Sequence, residues 1–469
     1  MDKPKNMDRR SFLKHLGIGA AATVTALAGC KNNSNPVTGN ITAQGEVPTD
    51  KMTYRLNPKS GEKVSLLGYG CMRWPGMPDP AGEGEIIDQN AVNSLVDYAL
   101  AHGINYFDTA PPYCRGLSEK ATGIALKRHP RDSYYIATKM SNHRLVGQGL
   151  SPQELYDESV KMYRNSFRDL QTDYIDYYLL HIVGIGEGLP TLMERFFDNN
   201  LLEFLLKERE AGRIRNLGFS YHGDIKAFEY LLSRHDEFHW DFVQIQLNYV
   251  DYRHATGRNF NADYLYSELE KRNIPVVVME PLLGGRLAGL TDFLNTRLKQ
   301  RRPAESIASW AFRFAGSFPH VLTVLSGMTY MEHLQDNIRT YAPLDACSDE
   351  ELALLEDTAQ IMLKYESVPC TACQYCMPCP YGLDIPGIFA HYNKCINEGN
   401  VPSSSQSSEY RKARRAFLVG YDRSVPRLRQ ANHCIGCREC VCHCPQNIEI
   451  PAQMQRIDNF VEQLKQNKA

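Results

Sequence analysis

From residue 52 to about 346 the apolar positions fall into short runs separated by amphipathic stretches. The runs 64–72, 103–108, 134–139, 174–181, 217–220, 242–248, 276–280 and 321–326 are rich in β-branched and aromatic residues and predict strands. Between them, stretches such as 89–102, 151–170, 201–211, 227–233 and 264–271 carry apolar residues at helical spacing. Strand followed by helix, repeated eight times, predicts an α/β fold of the (β/α)8 barrel type. No glycine-rich dinucleotide fingerprint follows a strand, which argues against a doubly wound open sheet.

Beyond 346 the pattern changes. Residues 347–365 read as a linking helix, and 366–469 as a separate small domain in which cysteine replaces aliphatic residues. Ten of the fourteen cysteines lie between Cys370 and Cys444. The second burst, Cys434-x2-Cys437-x2-Cys440-x3-Cys444-Pro445, has the spacing of a [4Fe-4S] ligand run. The first, Cys370-x2-Cys373-x2-Cys376-x2-Cys379-Pro380, is one residue shorter before its last cysteine. In two-cluster modules the fourth ligand crosses over, which predicts one cluster on Cys370, Cys373, Cys376 and Cys444 and another on Cys434, Cys437, Cys440 and Cys379. The shortened run keeps a single cluster open. Zinc sites usually show separated C-x2-C pairs, and disulfide frameworks belong to small secreted domains, so both fit this tail less well. Cys395 and Cys442 are left over, as core thiols or substitute ligands.

At the other end, Arg9-Arg10-Ser11-Phe12-Leu13-Lys14 precedes an apolar stretch, 16–28, too short to span a bilayer. RRSFLK resembles the twin-arginine export signal, and Leu27-Ala28-Gly29-Cys30 resembles a lipobox whose cysteine receives lipid. The resemblance implies a signal at 1–30, a lipid anchor on Cys30 and a protein outside the cytoplasm on the periplasmic side of a membrane. Residues 31–51, rich in Asn, Thr, Gly and Pro, read as a flexible tether to a barrel domain spanning 52–346. Export of a chain already folded around its cofactor suits a set of thiolates that would oxidise if exported unloaded.

Within the barrel, polar residues fall at the ends of successive strands, where barrel enzymes keep their chemistry. Asp108 and Tyr113 lie in NYFDTAPPY, Lys139 in YYIATKM and His181 in YYLLHIV. Each alone has a plain structural explanation, as a cap, a loop aromatic, a snorkelling amine or a core histidine. Together they make a proton-transfer set. A tyrosine is a reluctant donor until a cation lowers its pKa, which Lys139 supplies. Asp108 keeps that cation charged, and His181 positions a carbonyl oxygen.

These residues, in this order and with the Asp-x4-Tyr spacing, resemble the catalytic tetrad of the aldo-keto reductases, and the tail resembles the ferredoxin extension of a bacterial branch of that family. The resemblance implies hydride transfer between NADP or NAD and a small carbonyl or alcohol. It also implies cofactor contacts at Gly70, Met72, Ser220, Gln246, Met279, Pro281, Leu282, Gly284, Ser326, Gly327, Asp336 and Asn337. This chain departs from the family at Tyr221, where asparagine is usual, and at Met279, where an aromatic residue usually stacks on the nicotinamide. It departs again at Gly327-Met328, where Lys-Ser usually grips a 2′-phosphate. Gly284 and Gly285 either admit a pyrophosphate close to the backbone or are ordinary loop glycines.

A formal net charge of −2 gives no field favouring nucleic acid. The basic stretch from Arg411 to Arg429 reads as a solvated face, as an offset to cluster charge or as a dock for a redox partner. The expectation is an exported, lipid-anchored oxidoreductase with an appended iron–sulfur module. The alternative is an electron-transfer or binding protein that uses the barrel as a scaffold.

Overall fold

A computed structural model describes residues 46–467 except Glu83, Arg258 and Ser403, and all of them belong to one compact unit. The expected signal 1–30, Cys30 and the tether as far as residue 45 lie outside the described residues.

The chain enters through a hairpin, β1 (Tyr54–Leu56) and β2 (Lys63–Ser65), followed by β3 (Leu67–Gly70) and a second hairpin, β4 (Gly76–Pro78) and β5 (Glu85–Ile87). Then come β6 (Tyr106–Asp108), β7 (Tyr135–Met140), β8 (Ile175–Val183), β9 (Ile214–Tyr221), β10 (Phe242–Gln246), β11 (Val276–Met279) and β12 (Val321–Ser326). Strands β3 and β6 to β12 pair in sequence order, all parallel, and β12 returns to β3 to close a barrel. Parallel strands covered on both faces read as unbroken apolar runs. The IDYYLLHIV of β8, buried at every position, is the clearest case.

The expected strand 64–72 divides into β2, β3 and a turn at Cys71–Arg73. At Leu66 the chain leaves the hairpin and enters the barrel. Both halves are apolar because both are buried, so periodicity does not separate them. Val64 of β2 joins Tyr106, Tyr177, Phe242 and Leu322 in the cluster that fills the barrel, and Tyr177 donates to Glu62 Oε2 at 2.6 Å, so the first hairpin closes the barrel floor.

Helices surround the strands, among them Gln89–Ala101, Pro152–Leu170, Leu201–Glu210 and Ile307–Gly316. Pro152–Leu170 starts on a capping box, Ser151 and Glu154, with Pro152 at its first position. The expected linking helix, Asp349–Met362, is capped the same way by Ser348 and Glu351, but it sets Leu355 and Ala359 into the barrel core and so belongs to the barrel. The tail builds a second core, with Phe389, Phe417, Ile457 and Val461, between the helices Ile385–Asn397, Tyr410–Ser424 and Ile450–Lys465.

Candidate functional site

The C-terminal ends of the eight barrel strands carry Gly70, Asp108, Lys139, His181, Ser220, Gln246, Met279 and Ser326, each a residue singled out in the sequence. Lys139 Nζ lies 2.6 Å from Asp108 Oδ1 and 2.6 Å from the carbonyl of Thr109. Burial pulls the Lys139 ammonium down from its ordinary value and the Asp108 carboxyl up, and the charge of each partner opposes the shift of the other. An isolated buried charge is costly, so the two hold each other ionised. Lys139 Nζ lies 4.9 Å from the centre of the Tyr113 ring, which is 6.0 Å from the ring of His181. His181 Nδ1 pairs with Ser141 Oγ at 2.6 Å, and burial, then the Lys139 charge, holds its pKa well below 6.5, so the imidazole is neutral.

Two positioning residues have no signal in the sequence. Arg195 is buried, and its guanidinium donates to the carbonyls of His181 at 2.5 Å and Ile182 at 3.0 Å and to Asn142 Oδ1 at 3.0 Å. Ile182 has φ +57°, a left-handed conformation costly for a β-branched residue, and Arg195 grips the backbone on both sides of it. Ser141 fixes the ring on the other edge.

The mouth of the barrel is covered by the tail. Tyr375, between Cys373 and Cys376, places its hydroxyl 3.4 Å from His181 Nε2 and in a hydrogen bond with the Tyr113 hydroxyl. Burial, then Tyr375 and Asp108, pushes the Tyr113 phenol well above 10, so it is fully protonated in this arrangement. In this arrangement burial, and not the Lys139 charge expected from the sequence, sets the direction of the shift. His143, His181 and His222 ring the same spot, and burial keeps all three neutral.

The residues expected to hold a nicotinamide divide into two groups. Near the tetrad, Gln246 pairs amide to amide with Gln446 at 3.3–3.4 Å, and Met72 packs beside Tyr113 with Cys373. Gly284 has φ +68°, and a Cβ there would run into the backbone of Thr371. Arg73 Nη2 also donates to the Thr371 carbonyl at 2.8 Å. Met279 is buried with Gln244 Nε2 at 3.5 Å from its sulfur, and Ser220 Oγ accepts from the Ile182 amide at 2.9 Å. Pro281 and Leu282 lead into the turn Leu283–Ala288 that carries Gly284. Away from the tail, Asn337 donates to Ser326 Oγ at 2.9 Å, Asp336 accepts from Ser306 at 2.6 Å, and Gly327 is exposed. The tail thus meets the residues expected at the nicotinamide end, at Gly284 and Gln246, while Ser326, Asp336 and Asn337, expected at the adenine end, find their partners within the barrel.

In the tail itself, Cys370, Cys373, Cys376 and Cys444 line one cavity walled by Ile385, Phe389, Ile448 and Ile450. Burial, with Cys437, Cys434 and Cys379 nearby, pushes the Cys440 thiol up to about 12. The first of the two expected sets, Cys370, Cys373, Cys376 and Cys444, thus shares one cavity. Among the described residues no group of His, Cys, Asp or Glu is tight enough for a single metal ion. Burial pushes the Cys370 thiol up to about 11 and Cys373 up to about 12, so iron would have to supply the charge that deprotonates them. Cys395 is a buried thiol 3.4 Å from His391, and Cys442 is exposed; neither lines the cavity.

A closed parallel barrel with an Asp–Lys pair, a tyrosine and a neutral histidine at its mouth defines a barrel oxidoreductase. The sequence model of the Aldo/keto reductase family matches residues 66–359, more than half the chain, and the protein belongs to that family. The 4Fe-4S dicluster domain matches residues 369–449. Among relatives, L-galactose dehydrogenase of Arabidopsis thaliana is 26% identical over 327 residues, covering 65% of this chain and 93% of that protein. The uncharacterized oxidoreductase YqkF of Bacillus subtilis (strain 168) is 26% identical over 326 residues, covering 64% and 95%. Among solved structures, the thermostable aldo-keto reductase Tm1743 in complex with the inhibitor epalrestat superposes with a TM-score of 0.51 at 23% identity, covering 65% of this chain and 99% of that one. Each of these matches covers about two thirds of this chain.

Proposed function

We propose that the protein interconverts a small carbonyl and its alcohol at Tyr113 and His181, and that iron–sulfur clusters in its tail handle the electrons. One observation carries the reading: the tetrad holds the Tyr375 hydroxyl between Tyr113 and His181, and that oxygen stands in for the oxygen of a substrate. In the reducing direction the protonated Tyr113 hydroxyl gives its proton to the substrate oxygen while neutral His181 orients it. Lys139, kept charged by Asp108, stabilises the phenolate left behind. Clusters on Cys370, Cys373, Cys376 and Cys444, and on Cys379, Cys434, Cys437 and Cys440, would supply one-electron transfer. At the nicotinamide end of the groove the tail lies over Gly284 and pairs with Gln246.

The outer cysteine set supports an external redox partner. Cys437 is exposed, and around it in sequence lie Arg427, Arg429 and Arg438 with Leu428 and Ile435, which are 81% and 64% exposed. Cations around an apolar patch suit an acidic electron carrier. The RRSFLK and LAGC motifs support export and a lipid on Cys30. The filled barrel mouth favours a second reading, an electron carrier with a silent barrel.

Tyr113→Phe separates the two. It removes the proton donor and little volume, so reduction of an aldehyde panel should fall by about 10²-fold or more with iron content unchanged. Undiminished reduction would overturn the assignment of Tyr113.

A further inference from the structure

We propose that the iron–sulfur loop 370–376 is the resident occupant of the nicotinamide groove, so that the cluster-loaded chain takes no nicotinamide dinucleotide and its tetrad draws electrons from a low-potential one-electron donor through the tail. The proposal rests on the carbonyl reading above and names the source of its electrons.

Three contacts carry it. Glycine at 284, with φ +68°, is required because backbone passes directly over it, and the backbone that passes is Thr371, held by Arg73 at 2.8 Å. The amide that should grip a nicotinamide, on Gln246, is already paired with Gln446. Cys373, a ligand of the inner cluster, packs with Tyr113 and Tyr375, so that cluster's own protein shell touches the proton donor. The barrel is built to accept the tail on its other loops too: Gly223 and Gly257, with φ +112° and +70°, face Asn447 and the carbonyl of Gln446. A dinucleotide at the nicotinamide end would have to displace Thr371 from Gly284 and Gln446 from Gln246. At the outer end of the groove Gly327-Met328 carries no cation of its own, and the Arg73 side chain that packs against Gly327 is turned to the Thr371 carbonyl.

The balance closes without hydride. The carbonyl π bond breaks, oxygen takes the Tyr113 proton, carbon takes a proton from solvent, and two electrons come from two equivalents of the external one-electron donor, which leave oxidised. Iron–sulfur clusters held by the tail cysteines would supply the one-electron relay between donor and barrel, and solvent reprotonates Tyr113. The substrate oxygen takes the place of the Tyr375 hydroxyl.

The test uses anaerobic, full-length protein with its iron intact. NADPH and NADH are titrated while nicotinamide fluorescence and heat of binding are followed, and benzaldehyde and glyceraldehyde are then offered with reduced methyl viologen. No saturable binding up to about millimolar nucleotide, together with viologen-driven alcohol formation, is the expected result. Stoichiometric nucleotide binding with a Kd below about 0.1 mM and no loss of iron overturns the occupancy. Absence of binding combined with absence of turnover on any aldehyde leaves the groove occupied and overturns the carbonyl reading instead. Turnover that runs on NADPH but not on viologen overturns the electron route.

Discussion

The hydroxyl of Tyr375 lies 3.4 Å from Nε2 of His181, a residue 194 positions earlier in the chain. The iron–sulfur module therefore reaches the centre of the barrel's chemistry. Burying the Tyr375 side chain is worth about 2 kcal/mol, and each polar contact of the docked loop adds about 1 kcal/mol. A ligand at a hundredfold excess over its Kd shifts an equilibrium by about 2.7 kcal/mol, comparable to these contacts, so a substrate must compete with the Tyr375 hydroxyl for its place.

If the Tyr375 hydroxyl occupies the oxygen position, removing it should admit substrate more readily. Tyr375→Phe should lower the KM for aldehydes about fivefold, the worth of one hydrogen bond, and Tyr375→Ala should lower it further. Steady-state kinetics with a viologen donor reads this, and an unchanged KM in both variants would count against the occupied oxygen position.

Much of the fold was legible because parallel strands are buried on both faces: 321–326 in the sequence is β12 in the structure. The split of 64–72 was not, since a floor hairpin and a barrel strand are equally apolar. The tetrad could be read from residue type at strand ends. The cover over it could not, because Tyr375 reads as a spacer between cysteines and a contact across 194 positions leaves no periodic trace. Gly284 signalled that something comes close to the backbone without saying that it is Thr371. Arg195 and Ser141 look like ordinary helix and loop residues until their partners are seen.

Burial raises Glu119, which accepts from Thr138 at 2.6 Å, from 4.5 to about 7. Its folded pKa lies above its unfolded one, so the stability of the neutral carboxyl is complete below pH 4.5 and is lost as pH rises through 7. Glu119→Gln keeps the acceptor and removes the charge. Urea unfolding should show the variant more stable by on the order of 3 kcal/mol near pH 9 and no more stable near pH 4. Equal differences at both pH values would mean that Glu119 is not the titrating group.

The two cysteine sets should give about eight irons per chain with matching sulfide in anaerobic protein. Cys437→Ala should leave about four and spare the inner set beside the barrel. Loss of all iron from that variant would show the sets to be one interdependent site.

Membrane fractionation tests the leader. With Arg9 and Arg10 both changed to Lys the protein should stay in the cytoplasm, and Cys30→Ala should release it from the membrane after export. Unaltered protein recovered soluble in the cytoplasm would exclude the proposed route.

The most direct test is a single turnover. Protein reduced with dithionite, desalted anaerobically and mixed with benzaldehyde without nucleotide is followed by cluster absorbance and electron paramagnetic resonance. The clusters should reoxidise with one alcohol formed for each pair of electrons, and in Tyr113→Phe the rate should fall about 10²-fold or more. Clusters that stay reduced until NADP or NAD is added would contradict the account.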